Sequence, residues 1–203
     1  MTREPPWRQG GRGSPCDHAR VALTSTIYTA DIDLADHDRG IYETLALRVA
    51  RHPSESDEYL VTRLLAYALE YTDGLAFSTG GLSSPDDPAL AVRDLTGALR
   101  AWIEVGWPDA PRLHKAAKAS PRVAVYPHKD AGQWLKRLEG ERIHRAADIA
   151  VRAIDLALIA ALAARLDRRL AFSLAVSDGE LFVSTTHDTL TGRVTALTIG
   201  AAV

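Results

Sequence analysis

The regular part of the chain begins with two stretches in which apolar and polar residues alternate. The segment from Ile27 to Leu34 places apolar side chains on one side and acids such as Asp31 and Asp33 on the other. The segment from Tyr42 to Ala50 alternates in the same way. Because successive side chains of a strand point to opposite faces, both segments predict strands with one buried face. A turn at residues 36–38 joins them as a hairpin.

A helical period follows this hairpin. Its apolar stripe is formed by Leu60, Val61, Leu64, Leu65, Ala68 and Leu69. Ser54 is the predicted N-cap, with Asp57 at the third helical position as in a capping box. Glu58 precedes Val61 by three residues and therefore lies on the edge of the stripe. A carboxylate there requires a partner, so Glu58 is either a functional acid or half of a structural ion pair.

Residues 94–118 predict the end of a strand, a turn, a second strand and a helix. In the second strand Leu99, Ala101, Ile103 and Val105 share one side, and Arg100, Trp102 and Glu104 share the other. This alternation predicts a half-buried strand with Glu104 on its less apolar face. The helix begins at Pro108-Asp109 and carries Lys115 and Lys118.

The turn between these two strands decides which acids can meet. A three-residue turn at 96–98 predicts that Asp94 faces Arg100 and that Glu104 faces Leu90. Asp94 and Glu104 are then roughly 13 Å apart along the strand, too far to share one metal ion. Asp87, in the loop before the hairpin, comes nearer to Glu104. At a metal site that includes Glu104, Asp87 would therefore replace Asp94 as a ligand.

The remaining segments alternate between strand and helix patterns. Strands are predicted at 122–126 and 149–154, helices at 129–137 and 156–166, and a further strand at 194–199. Asp178-Gly179 predicts a tight hairpin that pairs Val176 with Leu181 and Leu174 with Val183. Strands and helices interleave without one repeating unit. The predicted class is therefore α/β (mixed α+β), with a central mixed β-sheet flanked by helices.

Composition and charge narrow the function classes. The chain has 203 residues, 46% of them hydrophobic, and a net charge of −2. The first twenty residues hold four arginines and two acids, so the remainder carries −4. That balance argues against broad, non-specific duplex binding but leaves room for a local basic patch.

Location and domain organisation follow from the same composition. Cys16 is the single cysteine, which fits a reducing cytoplasm. The longest apolar run, 156–164, is too short to span a bilayer, so no membrane association is expected. Residues 1–20, rich in Gly, Pro and Arg, predict a disordered extension before a single domain at 21–203.

Several motifs resemble one known family. They are ALTSTIYTADIDLADHDRGIYE at 22–43, RHPSESDEYLVTRLLAYAL at 51–69, DLTG at 94–97, LRAWIEVGWPD at 99–109 and RLHKA at 112–116. Together they resemble the YaeQ family of small bacterial proteins, over about Ala22 to Ser184. The resemblance implies a variation of the PD-(D/E)XK nuclease-like fold.

The same resemblance implies a site. Nucleases of this type hold Mg²⁺ with two or three carboxylates and use a lysine to position or activate water. The matching acids are Glu58, Asp94 and Glu104, as ligands for Mg²⁺ or Mn²⁺, with Asp94 and Glu104 also catalytic. Asp87 is the substitute for Asp94 that the hairpin geometry favours, unless a bulge shifts the hairpin. The pattern's lysine position is Gly106 here, so Lys115 from the next helix would replace it.

Two functions are therefore expected from the sequence. The first is a metal-dependent nuclease or phosphodiesterase acting on DNA or RNA. The alternative is a catalytically inactive nuclease-like fold that binds nucleic acid or a protein partner.

Overall fold

The computed structural model describes residues 25–78 and 87–200, which form ten strands and four α-helices. The predicted extension at 1–20 and most of the loop at 78–88 lie outside these ranges. In chain order the elements are β1 (Thr26–Asp36), β2 (Ile41–Arg51), α1 (Asp57–Leu69), β3 (Leu75–Phe77), β4 (Leu90–Arg93), β5 (Leu99–Val105), α2 (Ala110–Ala119), β6 (Arg122–Tyr126), α3 (Ala131–Leu138), β7 (Ala150–Ile154), α4 (Leu156–Ala163), β8 (Arg169–Ser177), β9 (Glu180–Ser184) and β10 (Thr189–Leu197).

All ten strands belong to one mixed sheet, in the order β2-β1-β8-β9-β10-β7-β6-β5-β4-β3. β1 runs parallel to β8, and β5, β6 and β7 are mutually parallel, whereas the other neighbours are antiparallel. The sheet curls into a nearly closed, barrel-like shape. The predicted mixed sheet with helices is thus confirmed.

β10 joins the two halves of the sheet. Its first five residues pair with β9 and its last four pair with β7. At Gly192 a Cβ atom would lie 2.8 Å from the Leu158 side chain, so only glycine lets α4 approach the strand this closely. The sequence predicted only the second part of this strand, at 194–199.

The helix α1 fills the concave side of the sheet. Its apolar residues, together with those of α4, pack against inward-facing residues of β1, β2, β5, β6, β8 and β9 in the main core. Thr62 and Arg63 of α1 are buried as well. Each large aliphatic side chain buried here stabilises the fold by about 1.5–3 kcal/mol.

Polar contacts from α1 reach both edge strands of the sheet. Arg63 donates to the carbonyl of Ala50 on β2 (3.3 Å), and its guanidinium carbon lies 5.3 Å from the centre of the Phe77 ring on β3. Tyr67 stacks on Phe77 at 4.8 Å and donates to the carbonyl of Leu75 (3.2 Å). α1 therefore connects the two ends of the curled sheet.

The predicted N-cap of α1 was wrong by two residues. Ser56, not Ser54, accepts the capping hydrogen bond, from the backbone N–H of Tyr59. Ser54 instead bonds to His52 in the preceding turn. The helix starts later because Glu55 folds inward to meet Arg63, at 2.9 Å, and both side chains are at most 3% exposed.

A second layer of helices covers the other face of β5, β6 and β7. α2 and α3 pack there on Trp102, Val123, Val125 and Val151, which form a second core with Leu113 and Trp134. The prediction of a half-buried β5 was therefore wrong. Trp102 and Glu104 are each only 3% exposed, because the helices bury the face that looked polar.

The predicted register of β4 against β5 was also wrong. Leu90 pairs with Ile103 and Ala91 with Trp102, one residue away from the prediction, and a bulge falls between Val92 and Arg93. The bulge adds a residue to one strand, which a count of turn residues cannot reveal. By contrast, the predicted pairs Val176 with Leu181 and Leu174 with Val183 are confirmed.

We predict that Arg63→Met destabilises the protein by about 3–5 kcal/mol, because it leaves the buried Glu55 carboxylate without its partner. The double variant Glu55→Gln, Arg63→Met should recover much of this loss, since it removes both charges. Urea unfolding followed by circular dichroism measures both values. A single variant as stable as the wild type contradicts the prediction.

Candidate functional site

Glu104 lies near the end of β5, on the face covered by α2. One carboxylate oxygen accepts hydrogen bonds from Nε of Arg112 (2.7 Å) and from Nε1 of Trp102 (2.5 Å). The other accepts from Nη2 of Arg112 (3.2 Å). Both oxygens of this buried acid are therefore engaged by side chains of the protein itself.

Arg112 connects three elements at this point. Its backbone N–H bonds to the Asp109 side chain, the N-cap of α2 (2.9 Å). Its Nη2 also donates to the carbonyl of Asp87, shortly before β4 (2.7 Å), and its guanidinium lies 5.9 Å from the Trp102 ring centre. Arg112 was not among the predicted site residues, although it flanks the apolar stripe of α2 one turn before Ala116.

The electrostatics of this pair follow from its burial. Removal from water raises the pKa of Glu104, while the hydrogen bonds and charge of Arg112 and the indole of Trp102 oppose that rise. One guanidinium balances one carboxylate. The pair by itself is close to neutral, so it lacks the excess negative charge with which carboxylate clusters attract a divalent cation.

Gly106 occupies the position of the nuclease pattern's lysine. Its φ is +104°, and a Cβ there would lie 3.3 Å from Cε2 of Tyr59 and 3.6 Å from Nδ1 of His128. A lysine at this position would be strained in its backbone and crowded by both rings. The fold therefore disfavours a lysine at this residue.

Two buried nitrogen atoms lie in this region without a hydrogen-bond partner in the described ranges, Nδ1 of His128 and Nε1 of Trp107. The His128 ring meets Tyr59 edge-on at 5.2 Å. Burial lowers the pKa of His128 and raises that of Tyr59 to about 12, so both rings are held in their neutral forms at pH 7.

Asp94 is a turn residue rather than a neighbour of Glu104. Its side chain accepts hydrogen bonds from the Thr96 hydroxyl (2.6 Å), the backbone N–H of Ala98 (3.0 Å) and the guanidinium of Arg100 (2.8 Å). Asp94 lies in the turn before β5, whereas Glu104 lies near the end of that strand. These contacts stabilise the turn that connects β4 to β5.

Glu58 is exposed in the first turn of α1. Its own backbone N–H and the Ser56 hydroxyl lower the pKa of its carboxyl, with smaller effects from the charges of His128 and Lys129. α1 packs on the concave face of the sheet, whereas the Glu104 side chain contacts α2 on the opposite face. The helix that carries Glu58 and the helix that contacts Glu104 therefore cover opposite faces of the sheet.

Arg112 relates two further candidates, Asp87 and Lys115, to Glu104. Asp87 shares Arg112 with Glu104 through its carbonyl, and Lys115 is exposed on α2 one turn beyond Arg112. Within residues 25–78 and 87–200, however, no group of three or more His, Cys, Asp or Glu side chains is arranged to hold a metal ion. The predicted ligand set therefore does not fit a shared Mg²⁺ ion as these side chains stand.

The fold and site define a class of protein, an α+β chain whose curled sheet encloses one helix and whose outer helical layer covers a buried Glu–Arg pair. Two solved structures share this fold. They are the YaeQ protein from Xanthomonas axonopodis pv. citri, with a TM-score of 0.78, 35% identity and coverage of 85% of this chain and 98% of that one, and the YaeQ protein from Pseudomonas syringae, with a TM-score of 0.75, 32% identity and coverage of 86% and 96%.

Sequence comparison gives the same answer. The family model described as YaeQ protein matches residues 21–194. A relative from Salmonella typhi is 33% identical over 177 residues, covering 87% of this chain and 97% of its own length. One from Escherichia coli (strain K12) is 32% identical over 178 residues, with the same coverage. The chain belongs to the YaeQ family. Both relatives bear the name "Uncharacterized protein YaeQ", so they add no activity.

We predict that Thr96→Ala raises the pKa of Asp94 from about 2 toward its ordinary 3.8, since the Thr96 hydroxyl contributes most to the lowering. Because the folded pKa lies below the unfolded one, this acid stabilises the protein above about pH 4 and stops doing so as the pH falls toward 2. The ¹³C shift of the Asp94 carboxyl against pH measures the value.

Thr44→Ala is the matched control for that measurement, because the Thr44 hydroxyl bonds to a different carboxylate, that of Asp33 (3.0 Å). It should leave the titration of Asp94 unchanged. Equal titration curves for Asp94 in the Thr96→Ala protein and in the wild type would show that the hydroxyl is not what holds the acid ionised.

Proposed function

We propose that this YaeQ-family protein binds nucleic acid through its outer helical layer and does not cleave it. The supporting observation is a charge asymmetry. Residues 109–121 and 127–148, here called the basic layer, contain eight Lys and Arg against five Asp and Glu, a net charge of +3 in a chain whose total is −2. The remaining residues therefore carry −5. A concentrated positive surface on an otherwise acidic protein is the usual electrostatic footprint of nucleic-acid binding.

The fold turns several of these cations outward. α2 and α3 bury Leu113 and Trp134 in the second core, so their opposite sides face solvent. Lys118 of α2 and Lys136 of α3 are exposed. Arg142 lies in the loop after α3, and its backbone carbonyl lies 3.2 Å from Nδ1 of His114. Side chains of this kind contact phosphates without reading the bases.

The chemistry at Glu104 supports binding over cleavage. Its two oxygens already accept hydrogen bonds from Trp102 and Arg112, and breaking such a buried pair leaves an uncompensated charge. The proposed site thus uses the basic layer, with the Glu104–Arg112 pair fixing α2 on the sheet.

We predict that Lys118→Ala with Lys136→Ala weakens binding and reduces the slope of log K against log salt by about two, one for each lost phosphate contact. Fluorescence anisotropy with labelled single-stranded and duplex oligonucleotides, over a series of salt concentrations, measures the slope. Arg48→Ala, an exposed cation on β2, is the control and should leave the slope unchanged. No binding at low salt, or equal effects of all three substitutions, contradicts the proposal.

Metal-dependent cleavage of nucleic acid is the second candidate. One support is the resemblance to PD-(D/E)XK nucleases, and we propose that this curled sheet is a variation of their fold. The other is that Arg112 donates to both the Asp87 carbonyl and the Glu104 carboxylate, with Lys115 one turn further along α2. A cytoplasmic location is part of either proposal and rests on the single cysteine, Cys16.

For the binding function we predict that Mg²⁺ and Mn²⁺ leave the thermal midpoint unchanged and that no DNA or RNA substrate is cut. A metal bound only by the native state would add about 2.7 kcal/mol at a hundredfold excess over its Kd. The nuclease function would replace our proposal if the wild type cleaves nucleic acid and is stabilised by metal. In that case Glu104→Gln should lose both properties, and Lys115→Ala should reduce cleavage alone.

A further inference from the structure

The buried carboxylate of Glu70, at the end of α1, lies beside two positive charges, one more than its own charge balances. Glu70 is 5% exposed and accepts a hydrogen bond from the hydroxyl of Tyr126, which is fully buried (2.7 Å). Arg122 pairs with its second oxygen at 2.6 Å, and Nε of Arg152 lies 4.0 Å from the first. Two guanidinium groups therefore approach one carboxylate from β6 and β7.

Both arginines lie on the concave face of the sheet, beside Glu70. Arg122 and Tyr126 alternate with outward-facing valines along β6, so they share its concave face. On the neighbouring parallel strand β7, Arg152 lies between Ala150 and Ile154, which also face the main core. This side of the sheet is opposite to the basic layer of α2 and α3, so the cluster is distinct from the proposed nucleic-acid surface.

One arginine alone would balance Glu70. The pair of arginines leaves a net charge of +1, and their side chains are 45% and 44% exposed while Glu70 is closed off beneath them. Within the described part of the chain, the guanidinium of Arg152 makes no hydrogen bond, and its contact with Glu70 is at the limit for an ion pair. Because the Arg152 side chain is 44% exposed, solvent can reach its donors.

We propose that Arg122 and Arg152 form a site for a phosphate group, with Glu70 and Tyr126 holding the two guanidinium groups in place beneath it. A guanidinium presents parallel N–H donors that match two oxygens of a phosphate. Two such groups beside one carboxylate favour a compact, doubly charged anion. Glu70 is here a positioning residue, because its oxygens face the arginines and not the bound anion.

The test uses the full chain and inorganic phosphate, followed by glycerol phosphate, in isothermal titration calorimetry at constant ionic strength. Phosphate should bind and raise the thermal midpoint, and Arg152→Gln should weaken binding by about tenfold or more, as expected for one charge-assisted pair. Arg193→Gln is the matched control, since Arg193 is an exposed arginine paired with Glu180 on the other half of the sheet. It should bind phosphate like the wild type.

Glu70→Gln separates a binding site from a purely structural cluster. The amide keeps the acceptor for Tyr126 but removes the negative charge, so phosphate should bind more tightly even if the protein becomes less stable. If the Glu70 variant does not fold, Arg152→Gln alone decides. Tighter binding of glycerol phosphate than of phosphate indicates a phosphate ester as the natural ligand, and the reverse order indicates the free anion.

Absence of phosphate binding in the wild type, or unchanged binding in Arg152→Gln, overturns the proposal. Neither result bears on the nucleic-acid surface, which is probed by Lys118 and Lys136 on the opposite face.

Discussion

The helix α1 is buried around most of its circumference, so it must be covered on nearly every side. A flat sheet could cover only one side, and the ten strands meet the requirement by curling around it. The buried Glu55–Arg63 pair adds a directional contact, because Arg63 also reaches β2 and Phe77 of β3. Enclosure of α1 thus sets the curvature of the sheet, and the curvature determines which strand faces remain for α2 and α3.

Features of the fold that are set by residues close together in the chain could be predicted from the sequence. Features that are set by distant residues could not. The hairpin at Asp178-Gly179 was predicted with its register, because a two-residue turn with glycine fixes the pairing of the strands that flank it. The register of β4 with β5 was missed, because the bulge after Val92 depends on tertiary packing.

The candidate site was predictable in part for the same reason. Glu104 and Asp87 were expected near one another, and the Asp87 carbonyl shares Arg112 with Glu104, but Glu104 was expected on an open face. Its partner Arg112 is eight residues away in the chain and comes to it only when α2 packs across β5. A polar residue in a strand does not reveal whether solvent or a helix covers it. Asp94 bonds within its own turn, and one sequence does not distinguish a turn acid from a ligand acid.

Two regions of positive charge distinguish this molecule, and they differ in construction. The basic layer is a broad surface of flexible side chains on two helices, suited to an extended polyanion. The Arg122–Arg152 pair is a narrow site anchored on Glu70, suited to one compact group. Their placement on opposite faces of β6 and β7 means that one strand pair supports both without either competing for the other's ligand.

The pairing of β1 with β8 has a consequence for synthesis on the ribosome. Thr29 lies beside Arg169, so the first strand meets its parallel neighbour only after 140 further residues have been made. β1, β2 and α1 emerge early, yet one side of their shared core stays uncovered until β8 and β9 follow. Contacts between such distant residues form slowly and expose apolar surface meanwhile. The nascent chain is therefore most vulnerable to aggregation in the interval before its last third leaves the exit tunnel.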